Sequence, residues 1–331
     1  MSHADLLFEL GTEELPPKSL MTLSKALELS VTKQLKELGL AHTEVTSYAT
    51  PRRLTVMVKD LQLQQTDRQE RRRGPSIQAP PNAIDGFARS CNVSKNELTV
   101  IDTEKGQYYE FDRTIKGLKT LDLMGSLIQK ALADLPIAKR MRWGASRGEF
   151  VRPVQWFILA LGSDLVDIEL FDLTNSHQSR GHRFHSQGAI TITSAANYSQ
   201  QMRTEGHVIV SFEERKTMIR TQILEQAKVL NAIAVIDEKL LDEVAGLVEW
   251  PTCLTGRFDR RFLELPAQAL ISSMKEHQKY FHFVDEKGDI LPLFLTVSNI
   301  NSKNAAQVIA GNERVIRPRL ADAAFFFESD R

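Results

Sequence analysis

The chain has 331 residues, and its 42 Lys and Arg are balanced by 42 Asp and Glu, so the formal net charge is zero. That balance excludes a polybasic binder of nucleic acid or membrane surface acting through global charge, and confines any polyanion contact to local patches. A hydrophobic share of 42% excludes a disordered chain and is enough to bury a core, and the length suits about two domains.

From the N-terminus, Ala4–Leu10 reads as a short apolar strand and Gly11–Pro17 as a turn whose prolines suit a helix start. Leu20, Leu23, Leu27, Val31, Leu35 and Leu38 then recur every three or four residues, which predicts an amphipathic helix ending at Gly39. Glu44–Tyr48 and Leu54–Val58 read as strands joined by Thr50-Pro51-Arg52-Arg53. The polar, Pro-bearing stretch Gln62–Pro81 is a surface connection or an exposed strand, and its run Arg68–Arg73 a solvated face. A helix over Asn82–Cys91, a strand over Gln107–Ile115 and a helix over Leu118–Leu132 follow.

The basic segment Pro136–Pro153 is irregular and marks the expected boundary between two halves. Beyond it, Val154–Leu161, Leu165–Leu170 and Ala189–Thr193 read as strands, and Phe212–Asn231 and Glu238–Val248 as helices. Leu265–His277 is helical, Tyr280–Val284 and Leu291–Val297 form a hairpin, and a last helix covers Ala321–Arg331. Phe325, Phe326 and Phe327 near the terminus predict that the chain continues into a further domain. The expected organisation is 1–145, 146–310 and 311–331, the last opening a helix toward segments beyond. The fold class is α+β, multidomain, with mixed or antiparallel sheets and packed helices.

The start, MSHADLLFEL, lacks a secretory pattern, and no apolar run approaches the ~18 residues of a membrane span. Cys91 and Cys253 are far apart and read as buried thiols of a reducing, cytoplasmic setting. No phosphate-binding loop, dinucleotide fingerprint, nucleophile elbow or H-E-x-x-H is present. No catalytic residues are assigned, which argues against a free-standing enzyme.

Basic and aromatic clusters remain. Lys139, Arg140, Arg142 and Trp143, with Arg147 and Arg152, offer guanidinium forks for phosphate and an indole for stacking; alternatively Trp143 is core and the arginines are solvated. His177, Arg180, His182, Arg183 and His185 contact phosphate or shape a loop; without a nearby cysteine or carboxylate, and with two arginines present, they do not make a metal site. Lys275, His277 and Lys279 complement a helix C-terminus or reach a partner. Arg314, Arg317 and Arg319 contact RNA, a further domain, or solvent.

Several of these stretches, in order, resemble the beta subunit of bacterial glycyl-tRNA synthetase. They are GTEELPPK (Gly11–Lys18), TPRRL (Thr50–Leu54, Thr in place of Ala), KRMRWG (Lys139–Gly144), FVRPV (Phe150–Val154) and RGHRF (Arg180–Phe184). FEERK (Phe212–Lys216), LVEWP (Leu247–Pro251), MKEHQKYF (Met274–Phe281) and GNERVIRPRLADAAFFF (Gly311–Phe327) complete the series. The match is weakest over Gln62–Tyr108, which is shortened after Pro75.

The resemblance implies an alpha-two beta-two heterotetramer whose alpha subunit binds ATP, magnesium and glycine, leaving no cofactor on this chain. It implies that this N-terminal part serves tRNA(Gly) binding and assembly, and that HD-type and anticodon-binding regions follow. It also implies a likeness to the central domains of the phenylalanyl-tRNA synthetase beta chain. Arg52 and Arg53 of TPRRL join the candidate tRNA contacts on this basis. The alternatives are a stand-alone RNA-binding module, a hydrolytic tRNA-editing domain, or a scaffold that leaves RNA alone.

Overall fold

The computed structural model describes residues 2–145 and 147–329. Ser146, at the expected internal boundary, lies outside the described residues, as do residue 1 and residues 330 and 331 of the expected last helix.

The opening folds as strand, helix, strand, strand, with wider bounds than expected: β1 (His3–Thr12), α1 (Pro17–Glu37), β2 (Glu44–Thr50) and β3 (Arg53–Gln62). The leucine stripe drives α1 inward: Leu20, Leu23, Leu27, Val31 and Leu35 are each at most 1% exposed. Gly39 takes φ +66° just past its end, where a Cβ would be strained. In β1 every residue from Leu6 to Thr12 is buried. Leu6, Phe8 and Leu10 enter the main core, while Leu7 enters a second cluster on the opposite face. Burial on both faces turns the strand into a continuous apolar run and makes it central.

β4 (Arg68–Ser76), α2 (Pro81–Ser90), β5 (Thr99–Thr103) and β6 (Gly106–Ile115) form a separate module, a sheet of order β4–β6–β5 with α2 against it. Ala88, Cys91, Leu98 and Phe111 close its small core. The charged run Arg68–Arg73 is thus an edge strand. Glu70 bridges Arg72 and Arg113, each at 3.2 Å, and Arg71 meets Asp112 at 3.0 Å. The module leaves and rejoins the body at one place, where Gln65 N donates to the Leu118 carbonyl at 2.9 Å and Leu118 N donates to Gln65 Oε1 at 3.2 Å.

α3 (Thr120–Ala133) packs beside α1. The basic stretch expected to be irregular carries a two-residue ladder, β7 (Met141–Arg142) with β8 (Glu149–Phe150). β9 (Val154–Leu161) and β10 (Asp164–Leu165) complete the central sheet, order β10–β9–β1–β3–β2, antiparallel throughout. The sheet therefore draws strands from both sides of residue 145, and one buried cluster runs from Leu6 to Leu295. The strand expected over Leu165–Leu170 is broken. Glu169–Leu170 (β11) pairs with Leu173–Thr174 (β12) around Phe171 and Asp172, both at positive φ (55° and 62°). That is a tight hairpin turn without the usual Asn-Gly signal.

β13 (Gln178–Arg180), β14 (Ala189–Thr191) and α4 (Tyr198–Thr204), a helix not expected, supply Ile190, Tyr198 and Met202 to the cluster holding Leu7 and Ile158. α5 (Phe212–Val229) starts from a Ser211 cap whose Oγ accepts from Glu214 N at 3.2 Å. It is followed by β15 (Ile233–Val235), α6 (Glu238–Ala245) and β16 (Thr252–Arg257), and neither of these strands was expected. The helix expected over Leu265–His277 is α7 (Ala267–Ser272) continued by a π turn, Ser273–His277. β17 (Phe281–Val284) and β18 (Ile290–Ser298) make the expected hairpin inside a second antiparallel sheet, order β15–β17–β18–β16.

The last helix, α8 (Ala305–Ser329), starts well before Ala321 and runs through Pro318. Ile316 and Leu320, both 0% exposed, lock it against a cluster with Phe258, Phe262 and Phe294, and that packing overrides the local break. Arg314, Arg317 and Arg319 consequently lie inside the helix rather than leading into it. Among the described residues no helix is long and apolar enough to cross a membrane. Cys91 and Cys253 are free and buried.

Candidate nucleic-acid interface

Gly11 pairs with Arg53 of β3 on one side and Trp156 of β9 on the other. A Cβ on Gly11 would stand 1.9 Å from the Trp156 ring, so only glycine lets the indole lie across β1. Three guanidinium groups surround that indole: Arg180 at 5.1 Å from the ring centroid, Arg53 at 5.6 Å and Arg52 at 5.7 Å.

Beneath them is a buried ionic network. Glu9 Oε1 accepts from Trp156 Nε1 at 2.5 Å and Ser179 Oγ at 2.6 Å; Glu9 Oε2 accepts from the Tyr198 hydroxyl and from Arg53 Nη1 at 3.3 Å. Arg53 also donates from Nη2 to the Arg180 carbonyl at 2.8 Å and Glu249 Oε1 at 3.3 Å, and from Nε to Thr50 Oγ1 at 3.2 Å. Glu9 and Arg53 are 0% exposed and Glu249 1%. Burial opposes the Arg53 charge, but Glu249 and Glu9 outweigh it and hold the guanidinium above its ordinary value. Burial first, then Glu9, pushes the Tyr198 hydroxyl well above its ordinary value. Nearby Arg215 is also enclosed. Its guanidinium donates to the carbonyls of Ala49, Ile209, Val210 and Ala245, and burial pulls it down to about 10.

Two expected contacts must therefore be corrected. Arg53 is an internal counter-ion, with its donors spent on Glu9, Glu249, Thr50, Ser179 and a carbonyl. His182, 1% exposed, shapes its loop: Nδ1 accepts from the backbone N–H groups of Phe184 and His185 at 3.2 and 3.3 Å. Neither faces solvent.

The rim of the same junction holds four other candidates. Arg52 is mostly enclosed and donates to the Gly181 carbonyl at 3.3 Å, while its buried Nε has no partner among the described residues. Arg152 donates to the carbonyls of Glu14 and Val151. Arg183 meets Glu13 at 3.2 Å and Glu14 at 3.9 Å. Arg180 is exposed and forms no ion pair among the described residues. The GTEEL, PRRL, FVRPV, RGHRF and EWP segments, scattered in sequence, meet here.

The remaining candidates lie elsewhere. Lys275 is held by Asp237 at 2.7 Å and Lys279 by Glu243 at 3.1 Å, and His277 beside them is exposed. Lys139 and Arg140 are exposed before β7, and Arg142 on β7 pairs with Glu149 at 2.6 Å. Trp143 takes its core reading, packing on Phe171 with ring centroids 5.8 Å apart. Arg317 and Arg319 are exposed on α8. Glu9, Trp156, Tyr198, Arg215 and Glu249 were not singled out. Their signal was a lone carboxylate inside an apolar strand and an arginine on the buried stripe of α5.

Comparison with known proteins gives the family of the chain. The family described as Glycyl-tRNA synthetase beta subunit matches residues 6–331. The glycine–tRNA ligase beta subunit of Hahella chejuensis is 49% identical over 338 residues, covering 100% of this chain and 49% of the relative. Those of Marinobacter nauticus and Chromohalobacter salexigens are 49% and 47% identical with the same coverage. The chain spans about half the length of the curated relatives it matches, and it belongs to the glycyl-tRNA synthetase beta-subunit family.

Proposed function

We propose that this chain is the tRNA-holding and assembly part of a glycine–tRNA ligase, working with an alpha subunit that carries the ATP, magnesium and glycine chemistry. The observation that carries the reading is Arg180. It is an exposed guanidinium with no carboxylate partner among the described residues, seated over Trp156 beside Arg52. Arg152 and Arg183 extend the basic rim on either side. Such a rim suits the phosphate backbone of RNA, because a guanidinium fork matches phosphate and the ring beneath fixes its orientation. The buried Glu9–Arg53–Glu249 network supports the rim from below and gives it a rigid base.

The test is tRNA(Gly) binding by the complete alpha–beta ligase across a salt series. Arg180→Glu is expected to weaken binding and to reduce the salt slope by about 1, the signature of one lost phosphate contact. Unchanged affinity and slope would remove the junction from the RNA path.

A further inference from the structure

The loop joining β13 to β14 runs from Gly181 to Gly188 and carries one large apolar side chain, Phe184, which is 67% exposed. The loop itself is held at several points. His182 N donates to the Gly206 carbonyl at 2.7 Å, and Ser186 N donates to the His182 carbonyl at 3.1 Å. The buried His182 Nδ1 accepts from Phe184 N and His185 N. His185 stacks on His182 with ring centroids 4.6 Å apart, and its Nε2 accepts from Asn301 N at 3.0 Å. The imidazoles thus anchor the loop and leave the phenyl ring in solvent, 6.1 Å from the His182 ring. A phenyl ring kept in water gives up the free energy of burial. A ring already fixed in place loses little further freedom when something covers it.

The surroundings decide what that is. Protein-docking surfaces are contiguous apolar patches, and every other side chain of this loop is polar or charged. Arg180 precedes the loop and Arg183 lies within it. The nearby carboxylates are committed. Glu13 and Glu14 take up Arg183. Glu205, whose carbonyl accepts from Ser186 Oγ at 3.4 Å, turns its carboxylate to the Gln201 amide at 3.2 Å. Arg180 keeps no carboxylate among the described residues, and neither does Arg152, whose Nε donates to the Glu14 carbonyl at 3.0 Å. An aromatic face beside uncommitted guanidinium groups matches an unpaired nucleotide, whose base offers a π face and whose phosphate takes the guanidinium. A paired base hides its face in the stack, so a duplex can engage the arginines but not the ring.

We propose, on the basis of the tRNA-holding role of this rim, that Phe184 stacks on an unpaired nucleotide of the tRNA while Arg180 holds an adjacent phosphate. Binding of tRNA(Gly) and of a blunt-ended RNA duplex to the complete alpha–beta ligase tests it, with Phe184→Ala, Phe184→Leu and Phe184→Trp compared across a salt series. Phe184→Ala and Phe184→Leu are expected to weaken tRNA binding about tenfold. The salt slope should stay unchanged, because no phosphate contact is lost. Phe184→Trp should keep the affinity, and all three should leave duplex binding unaltered. Thermal midpoints and alpha–beta assembly should stay at wild-type values, since the ring is mostly exposed. Full tRNA affinity in Phe184→Ala, an equal loss on the duplex, or full rescue by leucine would overturn the stacking. A Phe184→Ala ligase that separates into its subunits would overturn it too and assign the ring to a protein contact. Arg180→Glu lowers the salt slope and Phe184→Ala does not. A response to the first without the second therefore overturns the stacking alone and leaves the tRNA reading standing.

Discussion

Arg53 and Glu249 are 196 residues apart in the chain and 3.3 Å apart in the fold, both out of contact with water. The pair ties the turn between β2 and β3 to the segment that leads into β16, and so couples the central sheet to the second one. A buried charge is tolerated only when its partners and hydrogen bonds are complete, and here every Arg53 nitrogen has an acceptor.

Arg53→Met is expected to destabilise the chain by roughly 3–5 kcal/mol, because it strands two carboxylates. Arg180→Ala at the rim is expected to cost less than about 0.5 kcal/mol. Urea unfolding of the two variants checks the contrast. Similar losses would mean that the network is not the load-carrying element of the junction.

Gly11→Ala forces the indole of Trp156 away from β1 or parts β1 from β9. A cost of about 1–3 kcal/mol is expected, together with a changed near-UV circular dichroism signal. A variant with wild-type stability and spectrum would show that the ring relaxes freely.

Burial, then the neighbouring His182 and His207, holds His185 below the ordinary imidazole value of 6.5; burial, then Lys275, does the same for His282. Below 6.5 the unfolded chain takes up protons that the folded chain refuses, so stability rises with pH there. The contribution is full above 6.5 and lost as pH falls through the depressed values. The thermal midpoint should drop between neutral pH and mildly acidic buffer, and His282→Gln should flatten part of that drop. A profile unchanged by the substitution would remove His282 from the cause.

Arg183 already faces Glu13 and Glu14, so Arg183→Ala should weaken tRNA binding less than Arg180→Ala. Glu13→Gln, which removes the nearer of the two carboxylates facing Arg183, should tighten it. Affinities measured at one fixed salt concentration decide the order.

Pro318 sits within α8 on its exposed side. Pro318→Ala restores a backbone donor and should stabilise the chain by up to about 3 kcal/mol, seen as a raised urea midpoint. No gain would mean that α8 has adapted its geometry to the ring.

The periodic elements were legible where one period dominated. The leucine stripe gave α1, and the apolar runs gave β1 and β9. What periodicity could not show was partnership. β1 and β9 are distant in sequence, so a division at residue 145 looked natural until their pairing placed them in one sheet. Gly311 and Pro318 hid the first turns of α8, because the packing of Ile316 and Leu320 overrides local preference. At the junction, the family resemblance of TPRRL placed Arg53 among the candidate RNA contacts. Its buried role depends on Glu9 and Glu249, and neither is near it in the chain. Arg180 and Arg183 were singled out by composition alone, and both lie at the surface, because exposed rims follow composition more closely than interiors do.

The module from β4 to β6 departs and returns through two connecting segments that are hydrogen-bonded to each other at Gln65 and Leu118. Its two ends are already joined, so its length places no demand on the geometry of the body. Insertions, deletions or wholesale replacement between those two residues should leave the central sheet in register, which makes this the natural point for grafting a fluorescent reporter onto the subunit.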